Sequence, residues 1–169
     1  EMVDTSDEWI LTRTGIKERR ILKDEGKGSS FLAINAAKDL ITKNSIDPRT
    51  IDLVIVATAT PDMKAASTAS FTATQIGAIN AFSFDMDSAC SGFLFGMSTA
   101  ASFIESGRYS KVLLIGADKM SSIVNYKDRE TCIIFGDGAG AALFERNDEG
   151  LGLIDCLLYT SDAADDMQC

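Results

Sequence analysis

Ile51-Asp52-Leu53-Val54-Ile55-Val56-Ala57-Thr58 is a short, almost unbroken run of apolar and β-branched residues. Such a run predicts a strand covered on both faces, as in a mostly parallel sheet with helices on either side. Thr60-Pro61-Asp62 turns the chain after it. Upstream, Ala33, Ala36, Ala37, Leu40 and Ile41 recur at three- and four-residue steps, predicting a helix that Ser29-Ser30 caps and Asn44 and Pro48 close. Downstream, the pattern predicts a helix over 67–77, a strand over 81–87, a helix over 91–106 and a strand over 111–117. This β-α-β-α-β alternation argues for an α/β layered domain whose chemistry gathers at the carboxyl ends of the strands. In 91–106, Phe93, Leu94, Phe95, Met97, Phe103 and Ile104 surround the axis, which predicts burial all round. Gly92, Gly96, Ser98, Ala100 and Ala101 would let neighbouring elements, a second subunit included, approach closely. Two short strands, 131–135 and 141–145, are expected around Gly136-Asp137-Gly138-Ala139-Gly140.

The composition fits a soluble globular protein: 169 residues, 46% hydrophobic and 24% charged, with 2 Pro and 13 Gly. No apolar run approaches the roughly 18 to 20 residues that span a bilayer. A net charge of -9 argues against nonspecific nucleic-acid binding, which needs a basic face to release counterions. Cysteines 90, 132, 156 and 169 show no CxxC spacing and the chain has no histidine, so the usual zinc patterns are absent and no metal site is expected. Reduced thiols in a cytoplasm are the default. A mechanism that needs an imidazole cannot be completed within these residues.

Residue 1 is Glu, and the run Asp4-Thr5-Ser6-Asp7-Glu8-Trp9 carries no signal-peptide pattern, so an internal start is expected. Cys156-Leu157-Leu158-Tyr159-Thr160-Ser161-Asp162-Ala163-Ala164-Asp165-Asp166 resembles the in-frame translation of a sequencing adapter. Residues 1–155 therefore read as the native part and 156–169 as a non-native tail, a natural acidic tail being the alternative.

Cys90 stands where the strand ending near Asp87 meets the 91–106 helix. A thiol at the start of a helix faces unpaired backbone N–H groups and the positive dipole end, an environment that suits a thiolate nucleophile. Ala89, Ser91 and Gly92 leave room for a substrate carbonyl, and a backbone N–H there could hold an oxyanion. From composition alone, a small buried core cysteine is the commoner occupant. The run 136–141 (GDGAGA) formally satisfies the dinucleotide fingerprint, but residues 142–150 after it are too few and too soon broken to be the required helix. A structural loop is expected instead, with Phe135 pointing into a site above it.

Several stretches together resemble β-ketoacyl-acyl-carrier-protein synthase III, in that family's order and spacing. They are Met2 to Ile10, Thr12-Arg13-Thr14-Gly15-Ile16 with Glu18-Arg19-Arg20, Ser88 to Phe93, Asp128-Arg129 and Ile133 to Ala141. The resemblance implies the amino-terminal half of a thiolase-like fold, its first strand missing before Glu1. It implies condensation that starts fatty-acid synthesis. Cys90 would take a short acyl group from acyl-coenzyme A as a thioester, and malonyl-acyl carrier protein would lose carbon dioxide and accept it. Acyl-coenzyme A would be a substrate, with no permanently bound cofactor, and the complete protein a cytoplasmic homodimer. The family's His and Asn, which promote decarboxylation, have no counterpart here, so this chain alone is expected to be inactive in condensation.

Carried across by position, Trp9 and Arg129 become the plates that sandwich adenine, with Thr5 and Arg13 nearby for polar groups. Indole and guanidinium planes both stack on a base. Without the resemblance, Trp9 reads as an amphipathic anchor and the two arginines as solvated charges. Where the family often carries a bulky residue and a Pro between Pro61 and Ser67, closing the partner subunit's acyl pocket, Ala65-Ala66 stands. This implies a roomier pocket unless Met63 or Phe82 fills it. A starter-unit or secondary-metabolite synthase, or a noncatalytic coenzyme A-binding subunit, would carry much of the same pattern.

Overall fold

The computed structural model describes residues 3–150 together with Gly152 and Leu153. The expectation for 156–169 lies outside the described residues. The elements run α1 (Asp7–Thr14), α2 (Ser29–Lys43), β1 (Leu53–Ala57), α3 (Thr68–Ile76), β2 (Phe82–Met86), α4 (Gly92–Glu105), β3 (Lys111–Lys119), α5 (Arg129–Cys132) and β4 (Asp137–Glu145). One mixed sheet has the order β2-β1-β3-β4, with β1 parallel to β2 and β3, and β4 antiparallel to β3. Helices cover both faces, giving the expected layered α/β arrangement.

The period-two geometry of a strand explains the layers. From β1 and β3, Val54, Val56, Leu113, Ile115 and Ala117 face α2 and α3, meeting Ala33, Ala37, Ala69, Ala73 and Ile76. Leu53, Ile55, Val112 and Leu114 face the other way onto α4, with Phe93, Met97 and Phe103 around them. All five residues of β1 are buried, which is why its sequence shows no polar alternation. Gly96 lets α4 lie close to the sheet, since a Cβ there would overlap Leu114 Cδ1.

Four expectations need correction. The 91–106 helix exists, but only Gly92, Gly96 and Ala100 of α4 are buried, while Leu94 and Phe95 are 44% and 37% exposed. Its apolar far side has no covering element among the described residues. Ser29 and Ser30 do not cap α2. Gly28 is the N-cap, the Asp62 carboxylate accepts from Ser30 N (3.0 Å), and the buried Ser29 hydroxyl donates to Thr60 O (2.7 Å). Residues 131–135 form no strand, because α5 runs through Cys132 and a turn comes after it. The glycine-rich stretch is not a free loop, since 137–140 are the first rungs of the β3–β4 ladder, with Gly140 opposite Gly116 and Asp137 opposite Lys119.

Candidate active site

The carboxyl ends of β1, β2 and β3 and the amino end of antiparallel β4 meet at one edge of the sheet. After β2, Ala89 takes a left-handed backbone (φ 43°), and the chain makes one 3₁₀ turn, Ala89–Ser91, before α4 begins. A non-glycine residue there is strained by contact between its Cβ and backbone. The bend turns Cys90 outward, so its thiol is free and exposed. The reading of Cys90 as a buried core cysteine is thereby overturned. Gly92 permits the tight entry to the helix, for a Cβ on it would lie 3.2 Å from Ala57 Cβ.

Cys90 lines a largely apolar cavity of about 560 Å³. Ala57 lines it from the end of β1, Ala59 from just beyond it, Phe93 from α4, Gly116 and Ala117 from β3, and Met120 from just beyond β3. Phe135 and Gly136 form a further wall. Phe135 and Cys90 thus line the same cavity. Ala65 is exposed in the segment before α3 and does not line this cavity, nor do Met63 and Phe82, which are 45% and 64% exposed. The role expected of that position was toward a partner subunit's pocket, not its own.

A polar seam beneath the cavity fixes its floor. Asp118 Oδ1 accepts from Ala59 N (2.8 Å), Thr60 Oγ1 (2.9 Å) and Thr58 Oγ1 (3.1 Å), and Ser29 Oγ lies 2.9 Å from Thr60 Oγ1. Buried hydroxyls need such partners, and this set joins the ends of β1 and β3 to the start of α2. The sequence reading missed it; the available signal was a pair of threonines directly after an apolar strand. It also missed Met120 and Asp137. Asp137 is 9% exposed and accepts from Ser121 N (2.7 Å), Ser121 Oγ (2.6 Å) and Leu22 N (2.8 Å). Burial pushes its carboxyl up, but the hydrogen bonds from Ser121 and Leu22 and the charge of Lys119 outweigh burial and hold it below its ordinary value.

A second cluster forms where α1 meets α5. Ser6 caps α1, accepting from Trp9 N (3.2 Å), and Gly15 ends it at φ 72°. Ile10 packs with Cys132 and Ile133, so Trp9 and Arg129, 120 positions apart in sequence, come together. The Arg13 and Arg129 guanidinium carbons lie 4.3 Å and 4.4 Å from the Trp9 ring centroid, both in cation–π range. Thr5 Oγ1 is buried nearby with no hydrogen-bond partner among the described residues. Asp128 caps α5, its carboxyl held below its ordinary value by hydrogen bonds from the Thr131 side chain and Glu130 N. The structure thus draws Trp9, Arg13 and Arg129 into one stack and sets Thr5 in the adjoining cavity.

A family model described as 3-oxoacyl-[acyl-carrier-protein (ACP)] synthase III matches residues 84–162. β-Ketoacyl-[acyl-carrier-protein] synthase III 2 of Bacteroides thetaiotaomicron is 58% identical over 160 residues, covering 95% of this chain and 48% of that protein. The corresponding synthase III of Chlorobaculum tepidum is 54% identical over 160 residues, covering 94% of this chain and 49% of that protein. In fold, the chain is similar to the 3-oxoacyl-[acyl-carrier-protein] synthase III of Aquifex aeolicus (TM-score 0.84, 47% identity, 88% of this chain and 47% of that one). It is also similar to a priming β-ketosynthase of a polyketide biosynthetic pathway (TM-score 0.82, 36% identity, 87% and 44%). The chain spans about half the length of the curated relatives it matches.

Proposed function

The chain belongs to the β-ketoacyl-[acyl-carrier-protein] synthase III family, and from that premise we propose that it carries the acyl-accepting half-site of a condensing enzyme that initiates fatty-acid synthesis. The observation that carries this reading is the exposed Cys90 thiol, raised on a strained bend beside an apolar cavity at the carboxyl edge of the sheet. The Cys90 sulfur attacks the thioester carbonyl of a short acyl-coenzyme A, the coenzyme A thiol leaves, and the acyl chain lies along Phe93, Met120 and Phe135. Malonyl-acyl carrier protein then loses carbon dioxide, and its carbanion takes the acyl group from Cys90.

Trp9 and Arg129 grip the adenine of the incoming substrate, Arg13 meets its phosphates, and the orphan Thr5 hydroxyl takes a polar group of the same molecule. In this reading the protein works in the cytoplasm as a homodimer and needs no permanent cofactor or metal. The described residues hold no helix long and apolar enough to cross a membrane. A starter-unit synthase is the second reading, favoured by the similarity to the priming β-ketosynthase. An exposed nucleophile beside an apolar cavity speaks against a noncatalytic coenzyme A-binding subunit.

Peptide mass spectrometry after mixing with acetyl-, isobutyryl- and hexanoyl-coenzyme A tests the proposal. The acyl group is expected on Cys90, not on buried Cys132, and is lost in Cys90→Ser. Label on Cys132 alone sinks it.

A further inference from the structure

Asp137 is a buried carboxylate that takes no part in the chemistry above, yet it joins three separate pieces of chain. Its two oxygens accept from both Ser121 donors and from Leu22 N, and its own N–H donates to Arg20 O (2.7 Å). Ser121 comes directly after Met120, and Asp137 is flanked by Gly136 and Gly138, all three neighbours being cavity wall. Gly136 is pressed against the same incoming segment, since a Cβ on it would lie 3.1 Å from Arg20 O. One carboxylate therefore ties the Met120 wall to the Phe135–Gly138 wall and clamps both to residues 20–22.

We propose that Asp137 is a positioning residue that sets the width of the Cys90 cavity and so the size of the acyl group admitted. The proposal rests on the acyl-transfer reading for the acyl group only; the cavity width is a property of the fold. Only a carboxylate presents acceptors on both oxygens. An amide offers one, and its NH₂ then confronts either the Leu22 N–H or the Ser121 N–H, whichever oxygen it replaces. Asp137→Asn frees one wall from the other without altering any residue that lines the cavity.

The test measures Cys90 modification in the 169-residue chain by peptide mass spectrometry, using iodoacetamide and N-hexyl iodoacetamide as a small and a long probe. Acetyl- and hexanoyl-coenzyme A form a parallel pair. In Asp137→Asn the long-to-small rate ratio is expected to change about tenfold, as the loss of a hydrogen bond to a charged group warrants, while the iodoacetamide rate stays within about twofold. Ser121→Ala should shift the ratio in the same direction by less, and the double variant no further than Asp137→Asn alone. Should Asp137→Asn fail to fold, Ser121→Ala decides. An unchanged ratio in the folded variants overturns the proposal. If alkylation shows the shift but neither acyl-coenzyme A labels Cys90 in the parent, the acyl-transfer reading fails and the role of Asp137 stands.

Discussion

Trp9 is already occupied on the ring surface that a base would need, because two guanidinium carbons lie within 4.4 Å of its centroid. Under the proposed clamp, entry of adenine exchanges one of these cation–π contacts for a stacked base. By calorimetric titration with coenzyme A, Trp9→Ala and Arg129→Ala should each weaken binding by about 1 to 3 kcal/mol. Unchanged affinity in both would mean that the nucleotide binds elsewhere. At the nucleophile, Ala89→Gly removes left-handed strain of about 1 to 2 kcal/mol against an added chain-entropy cost of about 0.5 to 1 kcal/mol. A chemical denaturation midpoint equal to or above the parent's is expected, with slower acylation of the less firmly aimed Cys90. Asp137 has a pH signature of its own. Its folded-state value lies below the ordinary 3.8, so its stabilising contribution is complete above that value and is lost as pH falls through the lower folded one. Below about pH 4, urea midpoints of the parent should therefore fall more steeply than those of Asp137→Asn. A parallel fall in both would remove Asp137 from the account.

At the scale of the element, the contact between α4 and β3 depends on a missing side chain. Gly96→Ala pushes a methyl into Leu114 and should cost about 1 to 3 kcal/mol as overpacking. Leu114→Ala alone leaves a cavity and should cost about 2 to 5 kcal/mol. The double variant should cost less than the sum, because the new methyl then has space; strict additivity in denaturation measurements would contradict the packing described. The same elements show what the sequence could and could not tell. α2 to α4 were legible from the spacing of their apolar residues, and β1 because burial on both faces leaves a short unbroken apolar run. α1 left no such trace, having Ile10 as its only buried residue. The start of β4 reads as a loop because glycines carry no facing pattern, and only the register with β3 draws 137–140 into the ladder. Thr131, Ile133 and Ile134 look strand-like by type, yet the Asp128 cap nucleates α5 over Arg129–Cys132, and 133 and 134 fall in the turn after it. In the site, Cys90 and Phe135 could be singled out from chain order. Met120, Asp118 and Asp137 could not, because what brings them to the cavity is pairing between distant strands.

For the whole molecule, the decisive fact is how much apolar surface remains open. Phe82, the first residue of the outer strand β2, and Ile79 just before it are 64% and 72% exposed, and Leu94 and Phe95 are exposed on α4. Surface of this kind is usually covered by further chain or by another subunit. The chain also lacks any histidine, and it spans about half the length of its relatives. Decarboxylating a malonyl thioester requires positioned donors for the developing oxyanion. The 169-residue protein is therefore expected to give no acetoacetyl product with acetyl-coenzyme A and malonyl-acyl carrier protein. Product above a Cys90→Ala control, by mass spectrometry, would show that the described residues suffice. The stack at α1 offers a way to watch the molecule while such tests run. Trp9 is the only indole in the chain, so all tryptophan emission arises beside those two guanidiniums. Displacing one of them changes the electric field across the excited ring, and the emission colour and yield change with it. The protein thus carries its own optical gauge of whether Arg13 and Arg129 are parked on the ring or parted from it, with no label attached.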